Sequence, residues 1–192
     1  MFKKVLSASI VLAAITFSAN ASAQMYAGVT VGSSNWNLDC SGATTCDKSG
    51  SAFRLLGGYD LSPNVALEAG YFSVGKAKAS GSLLGYTGGV EMGGTGIDFS
   101  GVFKTTPAGG FSGFAKLGLG YVRGKTDAIV GTVAGSHSES SVQPVVGFGA
   151  LYEVSKDVSL RAEIESRQVK LVDGDGGKGR VANFSVGVQV GF

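Results

Sequence analysis

Two stretches near the carboxy terminus decide the fold: Val158-Ser159-Leu160-Arg161-Ala162-Glu163-Ile164-Glu165 and Phe184-Ser185-Val186-Gly187-Val188-Gln189-Val190-Gly191-Phe192. In each, an apolar side chain alternates with a polar or small one at every step. A two-residue repeat puts successive side chains on opposite faces of an extended chain, so both read as β-strands with one apolar face. As helices they would scatter Arg161, Glu163 and Glu165 around the circumference and bury nothing coherent.

The same pattern, less perfect, marks six more segments: Met25 to Gly32, Ser51 to Tyr59, Val65 to Phe72, Ile97 to Lys104, Phe111 to Arg123 and Val142 to Val154. The connections between the eight strands alternate in length. Asp60 to Asn64, Thr105 to Gly110 and Ser155 to Asp157 are short; Ser33 to Gly50, Ser73 to Gly96, Gly124 to Ser141 and Ser166 to Gly179 are long. Short turns at one rim and long loops at the other imply an all-β, eight-stranded antiparallel up-and-down barrel with both termini on the short-turn side.

Composition agrees. Of 192 residues 32 are glycine and 3 proline, which disfavours a helical domain, and there is no collagen-like repeat. Mean hydropathy is +0.23, yet beyond the amino terminus no apolar run approaches the roughly 20 residues of a spanning helix. That terminus, residues 1–23, carries Lys3 and Lys4, an apolar stretch from Val5 to Phe17, and Ala21-Ser22-Ala23, the small-x-small pattern of signal-peptidase cleavage. Removing it leaves residues 24–192 as one domain with 14 basic and 14 acidic side chains. Net charge is then zero, and the electrostatic case for a nucleic-acid partner disappears. Export also exposes Cys40 and Cys46 to an oxidising compartment, where a disulfide closing this short loop is expected. With only Asp39 and Asp47 beside them, the cysteines make no metal site.

Alternation does not say which face is outside. A soluble ligand-carrying barrel points its apolar face inward; a transmembrane barrel points it at lipid. Glycine placement decides. Ten glycines fall on the polar face, among them Gly28, Gly70, Gly118, Gly147 and Gly187, against three on the apolar face, Gly57, Gly101 and Gly113. An eight-stranded barrel is only just wide enough for side chains, and glycines inside it leave room for a few large polar groups. The polar face is therefore expected inside. The apolar face, with Val29, Leu55, Leu67, Leu117, Leu119 and Phe148, carries no charge at its middle, where Arg or Lys would cost about 2–4 kcal/mol in lipid. Tyr59, Tyr152 and Phe192 at one rim and Tyr71 and Tyr121 at the other read as aromatic girdles.

Three stretches now carry a resemblance: Gly57-Gly58-Tyr59-Asp60-Leu61-Ser62-Pro63-Asn64-Val65 through Tyr71; Val142-Gln143-Pro144-Val145-Val146-Gly147 through Tyr152 to Arg161-Ala162-Glu163; and Ser185 through Phe192. They resemble the eight-stranded outer-membrane barrels of the outer membrane protein A and opacity-protein group. The resemblance implies residence in the outer membrane of a Gram-negative bacterium with periplasmic termini. It also implies contact with outer-membrane lipid and lipopolysaccharide, and an assembly signal at Ser185, Gly187, Val190 and Phe192 read by the insertion machinery. The chain stops at Phe192, so wall anchoring through the namesake's peptidoglycan-binding domain is not expected.

Inward by parity are Arg54, Glu68, Asp98, Lys104, Lys116, Glu153, Arg161, Glu163 and Glu165. Such charges must pair or hold water in a narrow lumen. The resemblance implies a pair between Glu68 and Arg161 and a basic interior position at Lys116. The family's acidic sixth-strand position, used in an alternative open pairing, falls on Leu151, and its basic fourth-strand position is displaced by a changed turn around Pro107. Two lumens follow: a plug of paired charges, the preferred reading, or a small conducting pore.

Other signals are weaker. Ser136-His137-Ser138-Glu139 holds the residue types of a hydrolytic triad around the sole histidine, but neighbours in sequence do not converge on one atom, and a polar loop tip is the better reading. Gly118 to Thr126 misses the first glycine of a phosphate loop, because Leu119 stands there. Asp173-Gly174-Asp175 begins like a calcium loop and lacks the later acid. Asn183-Phe184-Ser185 matches a glycosylation sequon inside a membrane strand. No cofactor or catalysis is expected. The favoured function is structural, with long loops displayed to host surfaces, phage or lipopolysaccharide; a passive pore is the alternative, and a lipid-modifying enzyme the weakest reading.

Overall fold

A computed structural model describes residues 25–37, 44–83, 86–130, 133–170 and 178–192. Residues 1–23, expected to be a signal segment, and Cys40 lie outside the described residues, as do Asp173 and Asp175. Among the described residues there are nine strands: β1 (Met25–Asn37), β2 (Thr45–Asp47), β3 (Ser49–Ser62), β4 (Val65–Leu83), β5 (Tyr86–Lys104), β6 (Phe111–Val130), β7 (Val133–Glu153), β8 (Val158–Lys170) and β9 (Lys178–Gly191). Each long strand pairs antiparallel with the next, and β1 closes the ring against β9, Val29 opposite Val188. The result is an eight-stranded antiparallel barrel. The short β2 adds to the far end of β4, Cys46 opposite Ala79.

Alternation sorts the side chains as expected. Leu117, Leu119 and Phe148 are about 60% exposed on the outer surface, whereas Arg54, Glu68 and Arg161 are almost wholly buried within. A soluble carrier would show the reverse. In lipid each outward Leu, Ile or Phe gains roughly 1.5–3 kcal/mol relative to water. Tyr59, Tyr152 and Phe192 flank this band on one side and Tyr71 and Tyr121 on the other, all exposed.

Two long connections are largely strand instead of loop. The segment from Ser73 to Gly96 is the continuation of β4 and β5 into a hairpin, with Ser80 opposite Gly89. The segment from Gly124 to Ser141 does the same for β6 and β7, with Lys125 opposite Ser138. β8 likewise runs on to Lys170 and β9 begins at Lys178. Beyond the apolar band the outward face meets a polar medium while part of the inward face packs an apolar cluster, so the contrast that marks a strand in the band is lost while the backbone ladder continues. A bulge adds to the effect: between Val74 and Ala77 β4 carries one residue more than β5, so both side chains are buried inward and the two-residue count slips. At the other rim, Gly109 and Gly110 adopt φ of 60° and 82° in the turn from β5 to β6, a conformation that side-chain-bearing residues resist.

The interior has three layers. Toward the short turns, Tyr26, Leu56, Ala66, Val102, Phe114 and Leu151 form an apolar cluster. Toward the strand extensions, Trp36, Phe72, Val74, Ala77, Val122, Val169 and Val181 form a second. The charged residues lie between them. Inward glycines give them space: a methyl group on Gly187 would sit 2.7 Å from the Cα of Thr30 on the neighbouring strand, and one on Gly70 would strike the Arg54 guanidinium at 2.8 Å. The outward Gly57 has nothing nearer than 3.8 Å. We expect Gly187→Ala to lower stability by about 1–3 kcal/mol through overpacking and Gly57→Ala to change it by less than about 0.5 kcal/mol. Urea unfolding in micelles, read by the mobility shift between folded and unfolded barrel on a gel, checks both.

Candidate functional site

The buried charges converge from five strands. Arg54 comes from β3, Glu68 from β4, Asp98 from β5, Lys116 from β6, and Arg161, Glu163, Glu165 and Arg167 from alternate positions of β8. β8 supplies half of the set because four consecutive inward positions on one strand are charged, in the order Arg, Glu, Glu, Arg.

Glu68 is the hub. Its carboxylate accepts hydrogen bonds from Arg161 Nη1 at 2.7 Å and Nη2 at 3.2 Å, from Arg54 Nη1 at 2.7 Å and from the Tyr26 hydroxyl at 3.3 Å. Lys116 Nζ stands 3.9 Å away. Arg54 reaches Asp98 with its other terminal nitrogen at 2.5 Å. Arg161 also binds Glu163 at 2.7 Å and donates to Gln189 at 3.1 Å. Lys116 is shared between Glu163, at 3.3 Å, and Glu165, which it contacts directly. Arg167 joins Glu165 at 2.6 Å to Asp98 at 3.5 Å.

Four cations therefore face four carboxylates, and the set is neutral. Neutrality and direct pairing are what make burial tolerable, because an isolated ion in this space would cost several kcal/mol. Aromatic rings cap the network at both ends. The Arg161 guanidinium lies 4.4 Å from the Phe114 ring centroid, and that of Arg167 lies 3.6 Å from Phe72. Each capping ring belongs to one of the two apolar clusters, so the charged layer lies between them.

Arg167 escapes the sequence reading, which opens a loop at Ser166; its signal is the unbroken parity from Arg161 through Glu163 and Glu165. Tyr26 and Gln189 escape for a different reason, being uncharged partners of charged groups. Lys104 and Glu153, expected inside, sit at the short-turn mouth instead. Glu153 is exposed, and Lys104 pairs with Asp60 at 2.6 Å beside Tyr26. Leu151 is buried in the lower apolar cluster. Of the terminal segment, Ser185 is buried and Gly187 half-buried inward, while Val190 and Phe192 are exposed outward. Phe192 N–H bonds the Met25 carbonyl at 3.0 Å.

No triad forms around His137. It lies half-exposed on the β7 extension, 3.8 Å from a Glu139 that also binds Lys170 at 2.9 Å. Ser138 faces the other way and accepts from Arg123. No cluster of three or more His, Cys, Asp or Glu side chains suited to a metal is found among the described residues. The phosphate-loop look-alike is plain β6, and Asn183 of the sequon is buried inside the barrel.

Residues 20–173 match the family described as OmpA-like transmembrane domain. The chain belongs to that family. Three solved barrels share the fold. Neisserial surface protein A superposes with a TM-score of 0.59 at 15% identity, covering 90% of this chain and 100% of its own. Ail, the attachment invasion locus protein of Yersinia pestis, gives 0.53 at 17%, covering 88% and 99%. The N-terminal β-barrel domain of Pseudomonas aeruginosa OprF gives 0.51 at 15%, covering 88% and 98%. No curated protein matches the chain by sequence. This OmpA-like chain is thus an outer-membrane β-barrel with its charge network at the centre of the lumen.

The network makes an uneven mutational response. Glu68→Ala strips Arg161 and Arg54 of their shared partner, and breaking a buried pair from one side costs about 3–5 kcal/mol. We expect urea unfolding of that variant to begin at clearly lower denaturant. Glu91→Ala, which removes an exposed partner of Lys76 and Lys78 on the strand extension, should leave the midpoint where it is.

Proposed function

We propose that this OmpA-like barrel is a closed, non-conducting outer-membrane protein whose work is done at its surface. The observation that carries the reading is the filled lumen: a neutral layer of mutually paired charges held between two apolar layers. An ion path would have to cross both apolar clusters and open pairs that have no alternative partner at Leu151. A polar cavity of about 260 Å³ at the short-turn mouth, lined by Tyr26, Asp60, Lys104, Glu153 and Gln189, favours a pore.

In this reading both termini lie in the periplasm, residues 1–23 are removed on export, and the segment ending in Val190 and Phe192 is the signal read by the insertion machinery. The opposite rim faces outward. From Phe72 to Leu83, β4 rises about 35 Å along its own path past the outer girdle, and β6 and β7 form a comparable ribbon. Two ribbons stiffened by backbone hydrogen bonds, with a Cys40–Cys46 bridge beside them, suit contact with host surfaces, phage or lipopolysaccharide better than free loops, since less order is lost on binding.

Two measurements test this. In planar bilayers the refolded protein is expected to give no single-channel steps; regular steps whose size changes with substitutions at Glu68 and Arg161 would establish the pore instead. Protease added to intact cells should cut only within the ribbons and connecting loops and should reduce attachment to host cells. Cleavage in the turns around Pro63 or Lys156, or unchanged attachment after complete shaving, contradicts the proposed orientation or role.

A further inference from the structure

Above the outer girdle the barrel continues as a four-stranded sheet, β4 to β7, whose two edges differ. The β4 edge is guarded. It carries the bulge between Val74 and Ala77, the side chains of Lys76 and Lys78, and a covering strand, β2, laid on Lys78 to Ser80 and continued by Thr44 N–H on the Ser80 carbonyl at 2.9 Å. Bulges, lysines and covering elements protect a strand edge against a stray partner. Among the described residues the β7 edge has none of them. Its ladder with β6 runs from Val133 to Tyr152 without a shift of register, and from Val133 to Gln143 there is neither lysine nor proline. β8 pairs with it only as far as Arg167 opposite Val145. Beyond that fork about 33 Å of β7 has a strand on one side alone among the described residues.

The register shows which groups this edge presents. Glu153 N–H points to β6, bonding the Gly110 carbonyl at 2.9 Å, and Val154 N–H points to β8, bonding the Val158 carbonyl at 2.9 Å. With no bulge along β7, odd-numbered residues turn their N–H and C=O to β6 and even-numbered ones turn them to the β8 side. Pro144 is even, so the ladder with β8 stops at a residue that has no N–H to give. Above it Val142, Ser140, Ser138, Ser136 and Ala134, all exposed, aim their donors and acceptors away from β6.

Side chains beside the edge favour an acidic guest. On the outward face Ser136, Ser138 and Ser140 stand in a row, and the Arg123 guanidinium crosses from β6 to donate to Ser138 Oγ at 3.2 Å. No ion pair of Arg123 is found among the described residues. Lys125 lies opposite Ser138, and across the fork Lys170 reaches Glu139 at 2.9 Å. A carboxylate on a strand lying beside Ser138 comes within reach of Arg123, whereas an ammonium group there meets only like charge on that face.

We propose that the β7 edge from Ala134 to Val142 takes up an extended, acidic segment of another polypeptide as an added antiparallel strand, in the place that β8 vacates. The inference deepens the surface role proposed above and rests on its orientation, with the strand extensions outside the cell. Main-chain hydrogen bonds supply the affinity, and the small side chains of the edge let long ones on the guest lie over the sheet. A second copy of this chain fits less well, because two barrels in one membrane run β7 in the same direction, which denies their edges antiparallel pairing.

Fluorescence anisotropy with the barrel in micelles tests the edge. The probe is a labelled peptide of about ten residues, alternating Thr and Val with Glu at every second Thr, long enough to cover the edge; the same peptide with Lys for Glu, and one with a central proline, are the controls. The Glu peptide should bind at least about tenfold more tightly than either control and should slow amide exchange at Ser136, Ser138 and Ser140. Ser138→Pro removes one edge-facing N–H at an even position, as Pro144 does, and leaves the β6 ladder whole. It should weaken binding of the Glu peptide by at least about tenfold, and Arg123→Ala should narrow the preference for Glu over Lys. Equal binding of the three peptides or unchanged binding by Ser138→Pro overturns the proposal. So does a concentration-dependent dimer of the peptide-free protein that Ser138→Pro abolishes, which marks the edge as a contact between copies. Each variant is first checked for the heat-induced mobility shift of a folded barrel. Binding in micelles and to lysed cells but not to intact ones contradicts the outward orientation; a folded barrel that binds no peptide in micelles sinks this inference alone.

Discussion

Hydrocarbon offers no partner to a backbone N–H or C=O, and the ladder between β1 and β9 is what lets this chain meet that constraint. Because Tyr26 to Asn37 pair all the way along Arg180 to Gly191, the sheet has no open edge within the membrane band. Closure then dictates the rest. Every second side chain must face outward into a single environment, and every other one must fit a space barely wide enough for it. Leu117, Phe148 and their neighbours answer the first demand. Glycines beside Arg54, Lys116 and Phe114 answer the second.

The lumen follows from that narrowness. Long charged side chains fill it, and the low polarity around them makes each pair depend on the others. Glu68 alone holds two guanidinium groups and a tyrosine hydroxyl, while Arg54 and Arg167 together hold Asp98. Stacking of Arg161 and Arg167 on Phe114 and Phe72 ties the ionic layer to the apolar ones. A barrel built this way holds its shape from within and leaves its outer surface to lipid.

Much of this was legible in the sequence because lipid and lumen are such different surroundings. Between the girdles, a Leu160 next to an Arg161 can only mean opposite faces, and parity alone assigned Arg54, Glu68, Asp98, Lys116, Arg161, Glu163 and Glu165 to the interior. Above the girdle that contrast weakens: in Lys76 to Ser82 and Glu91 to Thr95 only Ala77, Ala79 and Met92 are apolar among polar residues and glycine, so strand resembles loop. Arg167 was lost to this effect, although it continues the odd-numbered row of β8. The bulge at Val74 to Ala77 hid the outward turn of Lys76, since a single extra residue reverses parity. Lys104 and Glu153 show a different limit, for parity gives a face and not a depth, and both stand at the mouth.

The account stands on apolar side chains meeting acyl chains while ionic ones fill the interior. Nitroxide labels at Leu160 and Val188, which are paired on the outer face of β8 and β9, test this most directly in the protein reconstituted in bilayers. Strong collision with dissolved oxygen and almost none with a water-soluble nickel chelate is the expected result. Free access of the chelate to both positions would contradict it.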